Sequence, residues 1–194
     1  MRGYGQRPSI TGYNVRMKLS RPGRLFVLAA ILACCCVLPV SGQGMVHAQP
    51  TIPSTHLSIQ GLDGKSITLS PEQFAAMPHK TVSVFNSHSK TNEKYAGVAL
   101  TDLLDKVGVP LGERVRGKAF LTGVVAEGTD NYGVLYALAE VDSSIHAGDV
   151  IVADSLDGHK LEKDGAFKMV STEEKRPARW VRNLTSIKVI EVNP

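Results

Sequence analysis

Residues 118–141 read KAFLTGVVAEGTDNYGVLYALAEV, and this stretch carries the clearest fold signal in the chain. Its first half, KAFLTGVVAEG, is mostly apolar and predicts a strand that is buried on both faces. TDNYG then supplies the polar residues and the glycine of a turn, after which VLYALAEV resumes the apolar pattern. We therefore expect two apolar elements, adjacent in sequence, to meet around a tight polar turn.

Signals for further short strands lie on both sides of this stretch. Upstream, HLSIQ and SITLS alternate apolar and polar residues with period two around Asp63-Gly64, a hairpin turn signal. A second Asp-Gly turn lies in LDGHK, downstream of residues 118–141. The remaining segments with the composition of strands are KTVSVFN (80–86), GDVIVADS (148–155), GAFKMVS (165–171) and LTSIKVIEV (184–192).

Two short helices are predicted between the strands. Ser70 precedes Pro71, and Gln73 follows three residues after the serine, which is the pattern of a capping box with proline in the first turn. VALTDLLDKVG, residues 98–108, has its apolar residues at helical spacing. The polar segment SHSKTNEKYAG, residues 87–97, predicts a surface loop. Many short strands with few short helices and no regular βαβ alternation indicate an α+β fold with a mixed or mostly antiparallel sheet.

The N-terminal part of the chain has the pattern of an export signal. Leu25–Val40 carries no charge, basic residues precede it, and Val46–Ala48 fits the rule for a cleavage site. We therefore expect a signal peptide within residues 1–48, cleavage after the alanine, a linker over residues 49–55 and a single domain over residues 56–194. The expected location of the protein is the periplasm of a bacterium or the exterior of the cell.

Two alternatives to a cleaved signal remain open. An uncleaved anchor would need about 20 apolar residues, more than this run offers. A lipoprotein would be acylated at Cys34, but Leu32 suits that signal poorly and the apolar run continues past the cysteine.

The sequence leaves two start sites for translation open, Met1 and Met17.

Removing the leader reverses the net charge. Six of the 22 basic residues lie before Leu25 and all 18 acidic residues lie at or after Asp63, which leaves 16 basic against 18 acidic residues. The domain therefore carries a formal charge of −2, which gives no support to binding of nucleic acid or of an anionic membrane. All three cysteines, Cys34–Cys36, lie in the leader, so a disulfide scaffold and a thiolate metal site are excluded from the domain.

Two polar segments are candidates for binding. KRPARWVR, residues 175–182, surrounds Trp180 with four cations, and arginine beside an aromatic ring suits anion binding. The alternative is that Trp180 caps the core while Glu173 and Glu174 neutralise the cations. In TDNYG, Asp130 and Tyr132 are typical of a binding loop or, equally, of an ordinary Asx-turn. No histidine pair has the spacing of a metal site, and there is no nucleophile elbow or phosphate-binding loop.

The order of these segments resembles the oxidoreductase molybdopterin-binding domain. The matching segments are YAGVALTDLLDKVGV, GTDNYGVLYALAEV, DVIVADSLDGHKL, GAFKMVS and KRPARWVRNLTSIKVIEV, which together extend over about residues 57–192. This is the domain of sulfite oxidase and of the periplasmic methionine sulfoxide reductase catalytic subunit. The resemblance implies a sulfite oxidase-like α+β fold around a mixed sheet.

One departure from the family is large. The resemblance implies a molybdenum-ligating cysteine a dozen or so residues before Gly97, near Phe85 or Asn86, and the domain has no cysteine there or elsewhere. Members that catalyse oxo-transfer also carry further pterin-binding segments and are longer than this chain. Phenylalanine and asparagine cannot replace a soft thiolate without changing the metal chemistry.

Two hypotheses follow. In the first, the chain keeps the fold without the metal centre and binds a small anionic ligand or a periplasmic protein partner, with no cofactor and no membrane span after cleavage. In the second, it is a molybdopterin-dependent oxidoreductase, or a subunit of one, with ligands other than cysteine. Molybdopterin enters through the resemblance alone, and the missing cysteine favours the first hypothesis. The candidate ligand-binding residues are His88, Asp130, Tyr132, Arg176, Arg179 and Trp180.

Overall fold

The computed structural model describes residues 52–192, so the predicted signal peptide, its cleavage site and Cys34 lie outside the described residues. None of the described helices has the length and hydropathy of a membrane-spanning helix. Short 3₁₀ helices occupy Gly112–Arg114, Gly117–Leu121 and Pro177–Arg179. In chain order the strands and α-helices are β1 (Leu57–Gln60), β2 (Ser66–Leu69), α1 (Pro71–Ala75), β3 (Lys80–Asn86), β4 (Thr91–Ala99), α2 (Leu100–Lys106), β5 (Thr122–Gly128), β6 (Gly133–Ala137), α3 (Leu138–Val141), β7 (Val150–Leu156), β8 (His159–Lys160), β9 (Lys168–Ser171) and β10 (Leu184–Glu191).

The strands form two sheets. The first has the order β2-β1-β10-β5-β6, in which β1 and β10 run parallel and all other neighbours run antiparallel. The second has the order β3-β4-β7-β8, and β9 pairs with the first half of β7 on the same side as β8. One mixed and one antiparallel sheet with few short helices is the α+β class that the sequence predicts.

The stretch over residues 118–141 folds around its turn as the sequence predicts. Every residue of β5 is buried or half-buried, and β6 pairs antiparallel with it. Asn131, at the turn, adopts the left-handed conformation with φ of 61°. The strand is shorter than KAFLTGVVAEG, because Gly117–Leu121 forms a 3₁₀ helix instead of extended chain.

The capping box at α1 is confirmed. Ser70 Oγ accepts a hydrogen bond from the Gln73 amide at 3.2 Å, and Gln73 Oε1 accepts one from the Ser70 amide at 2.9 Å. Phe74, the one fully buried residue of this short helix, packs in the main core. Local side-chain chemistry therefore starts the helix, and one aromatic anchor keeps it on the sheet.

The prediction of a surface loop over residues 87–97 is wrong. Only Ser87–Lys90 forms a turn, and β4 begins at Thr91. β4 lies between β3 and β7, so its buried positions Tyr95 and Gly97 are covered by neighbouring strands although most of its other side chains are polar. A Cβ atom at Gly97 would overlap the Val152 carbonyl, so glycine permits the close approach of β7.

Residues are buried on both faces of the second sheet. Val150 and Val152 of β7 belong to the main core between the sheets, whereas Ile151 and Ala153 belong to a second cluster on the opposite face. Trp180 covers this second cluster together with Tyr95 of β4. Period-two alternation along β7 thus builds two cores, and the segment that carries Trp180 closes the outer one.

Candidate functional site

A cleft with three connected parts opens beside the second cluster. Its main cavity, about 430 Å³, is lined at its most buried part by Tyr95, Lys168 and Trp180, which we call the floor. A side pocket of about 230 Å³ is lined by Asp130, Tyr132, Pro177, Trp180 and Arg182. An open recess of about 590 Å³ shares His88 and Pro177 with the main cavity and is lined by Lys90, Lys175 and Arg176, which we call the rim.

The floor holds a buried ammonium group. Lys168 is 6% exposed, and its Nζ donates to Tyr95 Oη at 2.8 Å and to Asp164 Oδ2 at 2.7 Å. The same Nζ lies 4.8 Å from the Tyr95 ring centroid and 5.4 Å from that of Trp180. An ammonium group has three N–H donors, and within residues 52–192 only these two acceptors bond to it. One donor is therefore left for a molecule in the cleft.

A hydrogen-bonded chain fixes the position of this lysine. Tyr95 Oη donates to Glu93 Oε2 at 2.8 Å while it accepts from Lys168. Burial, together with the hydrogen bond to the Glu93 carboxylate, raises the pKa of Tyr95 well above its ordinary value, so the phenol stays protonated at neutral pH. The floor therefore presents a neutral phenol between a carboxylate and an ammonium.

The Glu93 carboxylate at the other end of this chain is held in its charged form. Burial opposes ionisation, but hydrogen bonds from Tyr95, Asn86 and Ser89 outweigh it and lower the pKa of Glu93 below its ordinary value of 4.5. Asn86 donates through Nδ2 to both carboxylate oxygens at 3.0 Å. The charge of Glu93 is thus satisfied by the protein and does not need a ligand.

The turn between β3 and β4 carries His88 and Lys90 to the mouth of the cleft. Asn86 Oδ1 accepts from the His88 amide at 2.9 Å, which closes an Asx-type turn. Lys90 adopts the left-handed conformation with φ of 61°, and its amide donates to the Asn86 carbonyl at 2.8 Å. The turn chemistry of Asn86 therefore positions both side chains.

The TDNYG loop forms the Asx-turn that one sequence-based interpretation predicts, and its side chains lie at the side pocket. The Tyr132 amide donates to Asp130 Oδ1 at 3.0 Å, as in an Asx-turn. Both residues also line the side pocket, and the Tyr132 hydroxyl donates to the Ala178 carbonyl. The loop is thereby tied to the segment that carries Trp180.

Five of the six candidate residues line the connected pockets, and Arg179 does not. Its Nε donates to Glu174 Oε1 at 2.7 Å, and its Nη1 lies 3.4 Å from Glu140 Oε2. Its guanidinium carbon lies 4.4 Å from the Tyr136 ring centroid. Burial acts against the charged form, but the two carboxylates raise the pKa of Arg179 further. The residues that do line the cleft are His88, Asp130, Tyr132, Arg176 and Trp180.

The aromatic partners also differ from the expected arrangement. The arginine stacked in this region lies on Tyr136, and the cation near Trp180 is Lys168. Trp180 is 5% exposed and donates from Nε1 to the Ser171 carbonyl at 2.9 Å, so it caps the second cluster as the alternative interpretation proposes. It also forms part of the floor of the cleft.

We expect Arg179→Ala to lower the free energy of unfolding by about 1–2 kcal/mol and to leave anion binding in the cleft unchanged. The loss follows from two charge-assisted contacts, discounted because the Arg179 side chain is 36% exposed. Urea denaturation measures the stability, and titration calorimetry with sulfate measures the binding. Weaker sulfate binding with unchanged stability would contradict this assignment and return Arg179 to the ligand-binding set.

The sequence-based set omits two cations of the cleft, Lys168 and Arg182. Lys168 is the first residue of β9 and lies two positions before Val170, so period-two alternation places it on the face of the second cluster. The same alternation can be read in GAFKMVS, where Lys168 lies between apolar residues. Arg182 lies inside KRPARWVR, and nothing local to that segment distinguishes it from Arg179.

The cleft does not offer the ligands that molybdenum requires. Asn86, near the position where the resemblance implies a cysteine, lines the cavity, but its amide is committed to Glu93 and to its own turn. Residues 52–192 contain no group of three His, Cys, Asp or Glu side chains placed to hold a metal ion. A carboxamide is not the soft donor that the thiolate chemistry of this family uses. The described residues therefore do not fit the thiolate-ligated metal centre that the resemblance implies.

No family model matches the chain, and no curated protein matches its sequence. Among solved structures, the chain is similar to the crystal structure of the sulfane dehydrogenase SoxCD from Paracoccus pantotrophus, with a TM-score of 0.55 and 19% sequence identity. The similarity covers 71% of this chain and 38% of that one, so this chain spans well under half of the neighbour's length. Identity at this level shows the fold alone, and it confirms the sulfite oxidase-like α+β fold that the sequence predicts.

Proposed function

We propose that this chain is an exported binding module that holds a small oxyanion or carboxylate ligand in the cleft and does not carry out oxo-transfer by itself. The observation that carries the proposal is the buried Lys168 ammonium, which has one N–H not used by the protein and lies beside an open cavity. A buried cation with an unused donor is stabilised by an anion that completes its hydrogen bonds. The proposal that the chain is exported depends on the signal peptide predicted within residues 1–48.

Arg182 supplies the second cation of the proposed site. It lines both the main cavity and the side pocket, and within residues 52–192 no carboxylate forms an ion pair with it. A guanidinium group presents paired N–H donors that match the two oxygens of a carboxylate or of a tetrahedral oxyanion. Lys168 and Arg182 therefore combine one buried point charge with one planar, bidentate donor.

The acidic groups of the main cavity already have hydrogen-bond partners in the protein. Asp164 pairs with Lys168, and Glu93 accepts from Asn86, Ser89 and Tyr95. Asp164 directly, and Glu93 through Tyr95, hold Lys168 in place and leave its third N–H directed to no protein acceptor of the described residues. The proposed role of these carboxylates is positioning, and the ligand contacts fall to Lys168 and Arg182.

We expect Arg182→Gln to weaken oxyanion binding about 10-fold or more without changing stability. A hydrogen bond to a charged group contributes about 1.5–3 kcal/mol, and 1.4 kcal/mol corresponds to a factor of ten in Kd. Titration calorimetry at low ionic strength, with sulfate, phosphate and succinate as separate probes, measures the change. Arg116→Gln is the matched control, because Arg116 is exposed and does not line the cleft. Equal affinity in the two variants, or no wild-type binding of any of the three anions, would contradict the proposal.

A further inference from the structure

The rim carries three cations that the protein leaves without carboxylate partners. Lys90, Lys175 and Arg176 are all exposed, and within the described residues none of them is in an ion pair. No Asp or Glu lines the open recess in which they lie. Other exposed cations, such as Lys65, Lys106 and Lys188, are also outside the ion pairs of the described residues, but they do not line this recess. The rim is therefore a local concentration of uncompensated positive charge.

The neighbouring acidic residues are turned away from the rim. Glu174 accepts from Arg179, with its Oε1 at 2.5 Å from Nη2. The guanidinium group of Arg179 in turn lies over the ring of Tyr136, so Glu174 is paired there and not with a rim cation. The side chain of Glu173 packs against Gly148 so closely that a Cβ there would collide with it. Both glutamates come directly before Lys175 and Arg176 in the sequence. In the fold, however, Glu174 pairs with Arg179 and Glu173 packs against Gly148.

The cations of the rim are presented on constrained backbone. Lys90 follows an Asx-type turn that Asn86 closes, in the left-handed conformation. Arg176 precedes the 3₁₀ helix Pro177–Arg179, and Ala178 in that helix accepts a hydrogen bond from Tyr132. A constrained backbone at Lys90 and Arg176 loses less conformational entropy when a partner binds.

We propose that the rim is a docking surface for an acidic segment of a protein partner, whose Asp and Glu side chains pair with Lys90, Lys175 and Arg176 above the mouth of the cleft. The domain has a formal charge of −2, so a small cationic recess lies on an otherwise acidic molecule. A membrane surface or a nucleic acid would meet repulsion beyond the recess, whereas a short acidic segment matches its size and sign. The recess shares His88 and Pro177 with the main cavity, so a docked segment would cover the ligand.

Docking is independent of the proposed ligand, and only the covering of that ligand rests on the proposed function. The test uses a fluorescein-labelled peptide of alternating Glu and Gly, with its Gln–Gly counterpart as the uncharged control. Anisotropy is measured at an ionic strength of about 0.15 M, where exposed charges more than about 8 Å apart are largely screened from each other. We expect a triple charge reversal of the rim to weaken peptide binding about 10-fold or more. The variant is Lys90→Glu, Lys175→Glu and Arg176→Glu.

A matched variant controls for net charge. It reverses three exposed lysines that do not line the cleft, Lys65, Lys106 and Lys188, and should change peptide affinity by less than about 3-fold because screening weakens distant charges. Equal losses in both triple variants would overturn the proposal, as would tighter binding of a single-stranded oligonucleotide or of vesicles containing phosphatidylglycerol.

The two proposals fail in different ways. Peptide binding that survives Arg182→Gln, in a protein that binds none of the three oxyanions, would reject the ligand site and retain the docking surface. Sulfate binding without any difference between the Glu–Gly and Gln–Gly peptides would reject the docking surface and retain the ligand site.

Discussion

Replacing Trp180 with alanine should lower the free energy of unfolding by about 3–5 kcal/mol, the cost typical of removing a large buried aromatic side chain. Trp180 is 5% exposed, packs edge-to-face on Tyr95 at 5.7 Å between ring centroids, and donates from Nε1 to the Ser171 carbonyl. Its loss would open a cavity over the second cluster and leave that carbonyl without its side-chain partner. Urea denaturation followed by far-ultraviolet circular dichroism measures the change, because the chain has a single tryptophan and fluorescence would be lost.

Phe85→Ala is the control for this prediction. Phe85 is also aromatic and lies on the same sheet, but it is 56% exposed, so its removal should change stability by about 0.5 kcal/mol or less. A similar loss of stability in the two variants would contradict the assignment of Trp180 as the residue that closes the second cluster. So would a Trp180→Ala variant that unfolds at the same urea concentration as the wild type.

The parts of the fold that the sequence predicts correctly are those with local causes. The capping box of Ser70 and Gln73 lies within four residues, and the Asp63-Gly64 turn joins strands that pair with each other. The buried strand within residues 118–141 can be predicted because its centre, Val124–Ala126, is apolar and an apolar segment precedes it. Such signals do not depend on which distant segment packs against them.

The sequence does not predict the first half of β4, because the cause of that strand is not local. Its first half, Thr91–Lys94, is polar and largely exposed, and only its pairing with β3 makes that half a strand. β7 pairs with the second half, Tyr95–Ala99. Sheet pairing provides the hydrogen bonds that hold such a segment extended, and a polar outer face does not prevent it. Turn residues in SHSKTN therefore predicted a loop that the sheet limits to four residues.

The division of roles between Arg179 and Arg182 also depends on distant residues. Both lie in KRPARWVR, and nothing in that segment distinguishes them. Glu140, 39 residues before Arg179 in the chain, and the ring of Tyr136 bring Arg179 to α3 and β6. Arg182 meets no such partner in the described residues and lines the cleft. Long-range pairing thus decides which cation is structural.

Replacing Lys168 with methionine should abolish oxyanion binding in the cleft and also destabilise the domain. Removing one member of a buried ion pair costs about 3–5 kcal/mol, and we expect the lower end because the Asp164 side chain is 19% exposed. Tyr95 would lose the donor to its hydroxyl oxygen at the same time. Urea denaturation and titration with sulfate measure the two effects, but this variant alone cannot separate a missing ligand contact from a loosened site.

The double variant Lys168→Met with Asp164→Leu makes that separation. Replacing a buried ion pair by apolar residues of similar size is often neutral or stabilising, so much of the lost stability should return. Sulfate binding should not return, because the ammonium that meets the anion is still absent. A double variant that binds sulfate as tightly as the wild type would remove Lys168 from the site and leave it a purely structural lysine. If both variants are folded and neither binds sulfate, the Lys168 ammonium has two roles: it pairs with Asp164 in the fold, and it is required for binding of the anion.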